Sequence, residues 1–274
     1  MRKILCVVLS VLLLVAACSN PAASNKTKTA KEPFIAAAEP LFNNPLGLPE
    51  FDYFDESTWG SYLLASLPDV GIYIYEESGA TIDDFIITIY HNGHITKINI
   101  YSGVFTRGNP PQILYYDFDN CGTNELAMIV QIGSGTGLSM SYLHMLTQDL
   151  SGNWALSSSL TSDWDELTGW FNPPMSYKAA EDEDAFYFYF NGEEFIFDTT
   201  NYKENGKFDK MDYGYWVNFE FEGTQIKSYI AISAMYDNFP IYGIHPVGTI
   251  TANVIWDGKN LSLVNYQFIC DCTP

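Results

Sequence analysis

Acidic residues recur at a fixed spacing in one short segment of the chain, residues 117–126. Asp117, Asp119 and Glu125 occupy positions 1, 3 and 9 of a loop whose sixth position is Gly122. Ca²⁺ prefers carboxylate and carbonyl oxygens, and a loop that wraps this cation needs alternate acidic side chains and a glycine at its sharp turn. The spacing therefore predicts Asp117, Asp119 and Glu125 as side-chain ligands of a Ca²⁺ ion.

A metal-free interpretation of the same segment stays open. Short acidic and amide side chains accept hydrogen bonds from backbone amides two residues further on, and such turns need no cation. Asp117, Asp119 and Asn120 could all tie a β-hairpin in this way.

The segments that flank the loop have strand character, so the loop is not a helix–loop–helix EF-hand. It resembles the Asp-x-Asp-x-Asp-Gly-x-x-Glu-Leu loop between strands in integrin-type FG-GAP/VCBS repeats, and the resemblance implies the same three ligands. Cys121 departs from the pattern, which has Asp or Asn at that position. A thiol is a poor ligand for a hard cation, so the departure predicts a weakened Ca²⁺ site.

A second resemblance covers most of residues 70–270. The chain resembles uncharacterised lipoproteins of Gram-positive, clostridia-like bacteria, and this resemblance implies no activity. The segments that carry it are residues 105–108, 111–119, 133–137, 143–144, 248–252 and 256–261.

Catalytic motifs are missing from the sequence. It has no Gly-x-Ser-x-Gly, His-Glu-x-x-His or Ser-x-x-Lys motif. Acid clusters at 163–166 and 181–184 leave one alternative open, a carbohydrate-active hydrolase that uses two carboxylates in a cleft lined by aromatic residues such as Trp164, Trp170 and Phe171. The favoured interpretation is a non-catalytic domain that binds an extracellular ligand, glycan or protein.

The amino terminus predicts export and a lipid anchor. A basic start, Arg2-Lys3, precedes an apolar run and the small residues Ala16 and Ala17 before Cys18. This arrangement is typical of a secretory signal, and it resembles the lipobox of bacterial lipoproteins. The resemblance implies cleavage before Cys18 and acylation of its thiol, which would hold the protein on the outer face of the cell membrane. Plain secretion is the alternative.

The mature chain is strongly acidic. Loss of residues 1–17 removes two basic residues and leaves 11 Lys and Arg against 33 Asp and Glu, a net charge of −22. Nucleic-acid binding depends on basic residues that neutralise phosphates, so this balance excludes a nucleic-acid partner.

Three cysteines remain beyond the anchor. Export permits disulfides, and a pair between Cys121 and either Cys270 or Cys272 is one possibility, with free thiols as the other.

The elements that must position these residues are predicted to be strands. Residues 18–32 have the polar composition of a flexible tether, residues 33–69 are interrupted by prolines and contain a helical stretch near 56–67, and residues 70–274 form a β domain. Short runs rich in Ile, Val, Tyr and Phe flank Gly-containing turns, as in Asn92-Gly93, which is the strongest short-range hairpin signal. The prediction is an all-β, antiparallel meander of hairpins, propeller-like or alternatively a β-sandwich.

Overall fold

Strands dominate the part of the chain that the structure describes. This structure is a computed structural model, and it describes residues 34–35, 44–50, 62–76, 85–100, 110–135, 138–161, 167, 169–180, 184–200, 206–237 and 245–270. In chain order the strands are β1 (Phe34–Ile35), β2 (Tyr62–Leu67), β3 (Ile72–Glu76), β4 (Phe85–His91), β5 (His94–Ile100), β6 (Gln112–Tyr116), β7 (Glu125–Gly135), β8 (Leu138–Gln148), β9 (Trp154–Leu160), β10 (Met175–Ala179), β11 (Ala185–Phe190), β12 (Glu193–Asp198), β13 (Phe208–Glu222), β14 (Gln225–Tyr236), β15 (His245–Trp256) and β16 (Leu261–Cys270).

Strands β2 to β5 form a four-stranded antiparallel sheet in chain order. The connection between β4 and β5 is Asn92-Gly93, whose φ angles are +50° and +88°. A type I′ turn needs positive φ at both central residues, and Asn and Gly adopt that conformation most readily. The hairpin predicted at this position is confirmed.

A larger sheet of nine strands has the order β1-β6-β7-β8-β13-β14-β15-β16, and β9 also pairs with β8. Strand β8 therefore shares one of its edges between two partners. Its residues 143–148 pair with β9, whereas Ser139 and Met140 pair in parallel with Trp216 and Val217 of β13. The nine-stranded sheet continues from β8 into the β13–β16 meander through this short parallel contact.

Strand β7 contributes to two hydrophobic cores because successive side chains of a strand point to opposite faces. Leu126, Met128 and Val130 are buried against the sheet of β2–β5. Ala127 and Ile129 are buried in a second core, which also contains side chains of β11 to β16. Burial on both faces explains why this strand is a nearly continuous apolar run.

The remaining sheet has three strands, in the order β10-β11-β12. Phe186, Phe188 and Phe190 alternate along β11 and are buried in the second core. Tyr187 and Tyr189 lie between them and face the other way, where Lys178 lies over both rings. The alternation of apolar and amphipathic residues thus decides which face of this sheet meets the core.

The all-β prediction is confirmed, with corrections in detail. Several sheets are present and none is closed, so a sandwich-like arrangement fits these strands and a propeller is not shown. The predicted helical stretch is wrong for Tyr62–Leu67, which pairs with β3 as strand β2 because Tyr62, Leu64 and Leu67 are buried on the β2–β5 core. Residues 56–61 of that stretch lie outside the described residues.

Candidate metal centre

The predicted acidic loop connects β6 to β7. Tyr116, the last residue of β6, is paired with Glu125, the first residue of β7. The chain therefore leaves and re-enters the sheet at paired positions, and residues 117–124 form a loop whose two ends are adjacent. This closure places Asp117, which follows β6 directly, beside Glu125.

Four side chains of this loop converge. Single ligand atoms of Asp117, Asp119, Cys121 and Glu125 all lie within 4.8 Å of one another. Ca²⁺ binds oxygens at about 2.3–2.6 Å, so ligands on opposite sides of the ion are about 4.6–5.2 Å apart. The loop therefore brings all three predicted ligands into one coordination sphere of the right size.

Backbone amides hold the three carboxylates in place. Phe118 N donates to Glu125 Oε2, Cys121 N donates to Asp119 Oδ1 and Gly122 N donates to Asp117 Oδ2, each at 2.9 Å. The turn-type hydrogen bond of the metal-free interpretation is therefore present for Asp119, whereas Asp117 accepts from an amide five residues further on. These hydrogen bonds orient the carboxylates through one oxygen, and each side chain also has a second oxygen that can face a cation.

One carboxylate oxygen lacks a partner. Asp117 Oδ1 is buried and accepts no hydrogen bond from any described residue. A buried polar atom without a partner costs about 1–3 kcal/mol, and more when it belongs to a charged group. A cation beside Asp117 Oδ1 would supply the missing interaction, so the residues present fit a hard divalent metal ion.

Glu125 is the most buried acid of the group, with 4% of its surface exposed. Burial raises the pKa of its carboxyl group to about 7, the Phe118 N–H lowers it, and the negative charges of Asp119 and Asp117 raise it further. A carboxylate that is desolvated among other acids is a costly charge. A bound cation reverses the sign of that local field.

Cys121 is the exposed member of the group and a free thiol. Its hydrogen bond to Asp119 is the main cause of a raised thiol pKa, so the group stays protonated at neutral pH. The predicted disulfide between Cys121 and Cys270 or Cys272 is therefore not formed. Cys270 is itself disulfide-bonded, and Cys272 lies outside the described residues.

Aromatic packing anchors the loop to the body. The Phe118 ring packs against the second core and meets Tyr116 edge-on at 5.5 Å between ring centroids. Phe118 thus fixes the residue between the two aspartates and donates its amide to Glu125. No motif in the sequence assigns this role to Phe118, although an apolar residue between two acids in a loop is a signal that could have indicated it.

Other predicted residues do not join the centre. Cys18 and the acid cluster at 163–166 lie outside the described residues, as does most of the cluster at 181–184. Phe171 is buried in the second core, and Trp170 packs against it and donates its indole N–H to Thr161 O. Phe171 is therefore part of the core, and Trp170 is half-buried beside it.

A residue that the sequence analysis missed belongs to a different hairpin. Gly258, in the turn between β15 and β16, lies against the Asp119 carboxylate. No spacing rule connects positions 119 and 258, because the two turns are far apart in the chain and meet only in the tertiary fold.

Comparisons with family models, with curated proteins and with solved structures find no match to this chain.

Proposed function

We propose that this chain is an exported lipoprotein, held on the outer face of the membrane by a lipid on Cys18, whose β body is a non-catalytic binding domain with a Ca²⁺ site in the β6–β7 loop. The observation that carries the Ca²⁺ site is the convergence of Asp117, Asp119 and Glu125 around a buried oxygen of Asp117 that has no hydrogen-bond partner.

The chemistry of the donors favours Ca²⁺ over other common cations. The three acids supply hard oxygen ligands, and the protonated thiol of Cys121 adds no soft anionic ligand. Mg²⁺ demands shorter bonds of about 2.0–2.1 Å and near-octahedral geometry, which a loop already tied by three backbone hydrogen bonds is less able to supply. Ca²⁺ accepts longer bonds and an irregular arrangement, so it suits this loop.

The cation would act on the surface around the loop. Three acids confined in one loop repel each other, and a divalent ion would offset that repulsion and hold the β6–β7 connection in a single conformation. A stiffened loop lowers the ordering cost of a partner that binds there. The partner class is an extracellular ligand, glycan or protein, because the net charge of the mature chain disfavours nucleic acid.

The anchor rests on the sequence before residue 33. Among the described residues, no helix is long and apolar enough to cross a bilayer. Acyl chains on Cys18 would contribute roughly 0.8 kcal/mol per buried methylene, and more than one chain is needed for stable attachment.

Isothermal titration of the full chain with Ca²⁺ tests the metal site. We expect wild-type protein to bind one ion with a Kd on the order of 10⁻⁴–10⁻³ M, as extracellular Ca²⁺ modules do. Asp117→Asn removes the charge of the ligand with the buried unpartnered oxygen, so the affinity should fall at least about tenfold.

Asp149→Asn is the matched control for this titration. Asp149 also accepts backbone hydrogen bonds in a turn, from Ser151 N and Asn153 N, but among the described residues it belongs to no cluster of ligands. Its substitution should leave the Ca²⁺ affinity unchanged. Absence of binding by wild-type protein at millimolar Ca²⁺ would reject the proposed site.

A further inference from the structure

The turn between β15 and β16 touches the loop of the metal centre. A Cβ atom placed on Gly258 would lie 2.8 Å from Asp119 Oδ2, closer than real Cβ atoms approach an oxygen. The carboxylate can occupy its position only because residue 258 has no side chain. Gly258 also has a φ of +88°, the left-handed conformation that glycine adopts at little cost.

Oδ2 is the Asp119 oxygen that lies against Gly258. Asp119 Oδ1 accepts a hydrogen bond from Cys121 N, and the Cys121 thiol also hydrogen-bonds to this carboxylate. We take Oδ2 as the oxygen that a metal ion would engage. Asp257, the neighbour of Gly258, directs its carboxylate at Lys259 N and Asn260 N, at 2.9 and 2.7 Å. Both bonds end on Asp257 Oδ1, and Asp257 is not a member of the convergent group of Asp117, Asp119, Cys121 and Glu125.

The turn is the less movable of the two partners. Trp256 and Leu261, which flank it, are both buried in the second core. Leu261 N also donates to Ser158 Oγ of β9 at 3.3 Å. The Asp119 carboxylate, in contrast, is the end of a rotatable side chain, so an added methyl group at position 258 would displace the carboxylate and leave the turn in place.

We infer that Gly258 is a positioning residue of the metal centre. Because it has no side chain, Asp119 Oδ2 can lie where it would bind the same cation as Asp117 Oδ1. This inference rests on the proposed Ca²⁺ site, and it adds the β15–β16 turn to the elements that position a ligand of that site.

Gly258→Ala in the full chain tests the inference by Ca²⁺ titration. The expected result is a loss of Ca²⁺ affinity of about tenfold, comparable to the loss of one ligand. Gly223→Ala is the matched control, because Gly223 also lies in a hairpin turn at positive φ, +63°, and a Cβ there meets nothing within 4 Å. Both variants carry a similar backbone strain, so urea unfolding should show similar losses of stability.

A double variant separates positioning from a general structural effect. If Gly258 acts through the Asp119 carboxylate, Gly258→Ala should weaken binding in wild-type protein and cause no further loss in an Asp119→Asn background. Equal losses in both backgrounds, or an affinity equal to that of Gly223→Ala, would overturn the inference and leave the proposed function intact. Wild-type protein that binds no Ca²⁺ would instead remove the proposed function and the inference with it.

Discussion

At the scale of single residues, the β6–β7 loop buries an acid close to two other acids, which costs free energy that a bound cation would offset. Glu125 is almost fully buried, and one oxygen of its carboxyl group lies within 4.8 Å of an oxygen of Asp117 and an oxygen of Asp119. Because its pKa is raised to about 7, the cation-free fold favours its protonated form and is destabilised as the pH rises from its unfolded value near 4.5 through 7. Buried acids with strongly shifted pKa values are concentrated at the functional sites of proteins.

Cys121→Asp tests whether the thiol weakens the site. The substitution puts a carboxylate where the group now has a protonated sulfur, so Ca²⁺ affinity should rise by about tenfold as the ligand charge increases. Without Ca²⁺ the added charge should lower the stability of the protein, because four acids would then repel each other. Titration and urea unfolding of the same variant check both effects, and Cys121→Ser serves as the neutral control.

An unchanged or lower Ca²⁺ affinity for Cys121→Asp would contradict an oxygen-binding cation site. It would mean either that no ion binds there or that the sulfur itself is a ligand.

His144 gives the fold an acid sensitivity that is independent of the loop. Its ring is 1% exposed, Nδ1 pairs with Ser159 Oγ at 2.8 Å, and Nε2 has no partner among the described residues. Burial lowers its pKa from 6.5 to about 4. Because the pKa is lowered in the folded state, the contribution of neutral His144 to the free energy of unfolding is fully present above pH 6.5. This contribution is lost as the pH falls toward 4, and the loss is about 3 kcal/mol.

His144→Leu should remove this part of the pH dependence. Urea unfolding at pH 7 and at pH 4 should show a difference between the two pH values that is smaller by about 3 kcal/mol than in wild-type protein. An identical pH difference in wild-type protein and His144→Leu would contradict the role given to His144.

At the scale of elements, the β15–β16 hairpin depends on one close backbone approach. A Cβ on Gly248 would lie 2.3 Å from Ile269 O and 2.7 Å from the Phe268 ring. The nearest atom belongs to the backbone of the paired strand, so the strands would have to separate. We expect Gly248→Ala to lower the free energy of unfolding by about 3 kcal/mol or more.

Gly169→Ala is the control for this change, because a Cβ there meets nothing within 4 Å and the residue does not have a positive φ. Urea unfolding of the two variants checks the prediction. A loss below about 1 kcal/mol for Gly248→Ala would show that the hairpin relaxes around the methyl group.

The hairpins could be predicted from the sequence because their signals are local. Asn92-Gly93 and Asn191-Gly192 both have positive φ at both residues, as the turn signal predicts. The parallel contact of Trp216 and Val217 with β8 could not be predicted, because it joins strands far apart in the chain. The helix expected near 56–67 is not formed by Tyr62–Leu67, because pairing with β3 and burial decide the state of these residues.

The candidate site also has features that are local in sequence and features that are not. Its acids could be predicted because they lie within one loop, whose ends are fixed by a strand pair. The free state of Cys121 and the place of Gly258 beside Asp119 depend on the tertiary fold. No pattern within a short window of sequence contains that information.

At the scale of the whole molecule, charge and anchor set where the loop would work. With the proposed cleavage before Cys18, the chain would have a net charge of −22, which would repel anionic headgroups. Extracellular Ca²⁺ would then be available to the loop. Both features agree with a binding domain at the outer face of the membrane.

Cys18→Ser tests the anchor. Wild-type protein should sediment with membranes, whereas the variant should be released into the soluble fraction, because it lacks the thiol that carries the acyl chains. Ser19→Ala, next to the anchor position, is the control and should sediment like wild-type protein. Membrane association of Cys18→Ser equal to that of wild-type protein would contradict lipid anchoring.

The most direct test of the metal centre is a crystal structure of the full chain with Cys18→Ser, grown in millimolar Ca²⁺. The proposal predicts one ion in the β6–β7 loop, with oxygens of Asp117, Asp119 and Glu125 at about 2.3–2.6 Å. Asp117 Oδ1, which is buried and unpartnered without the ion, should be among the ligands. A water molecule or no density between these three carboxylates would contradict the Ca²⁺ site.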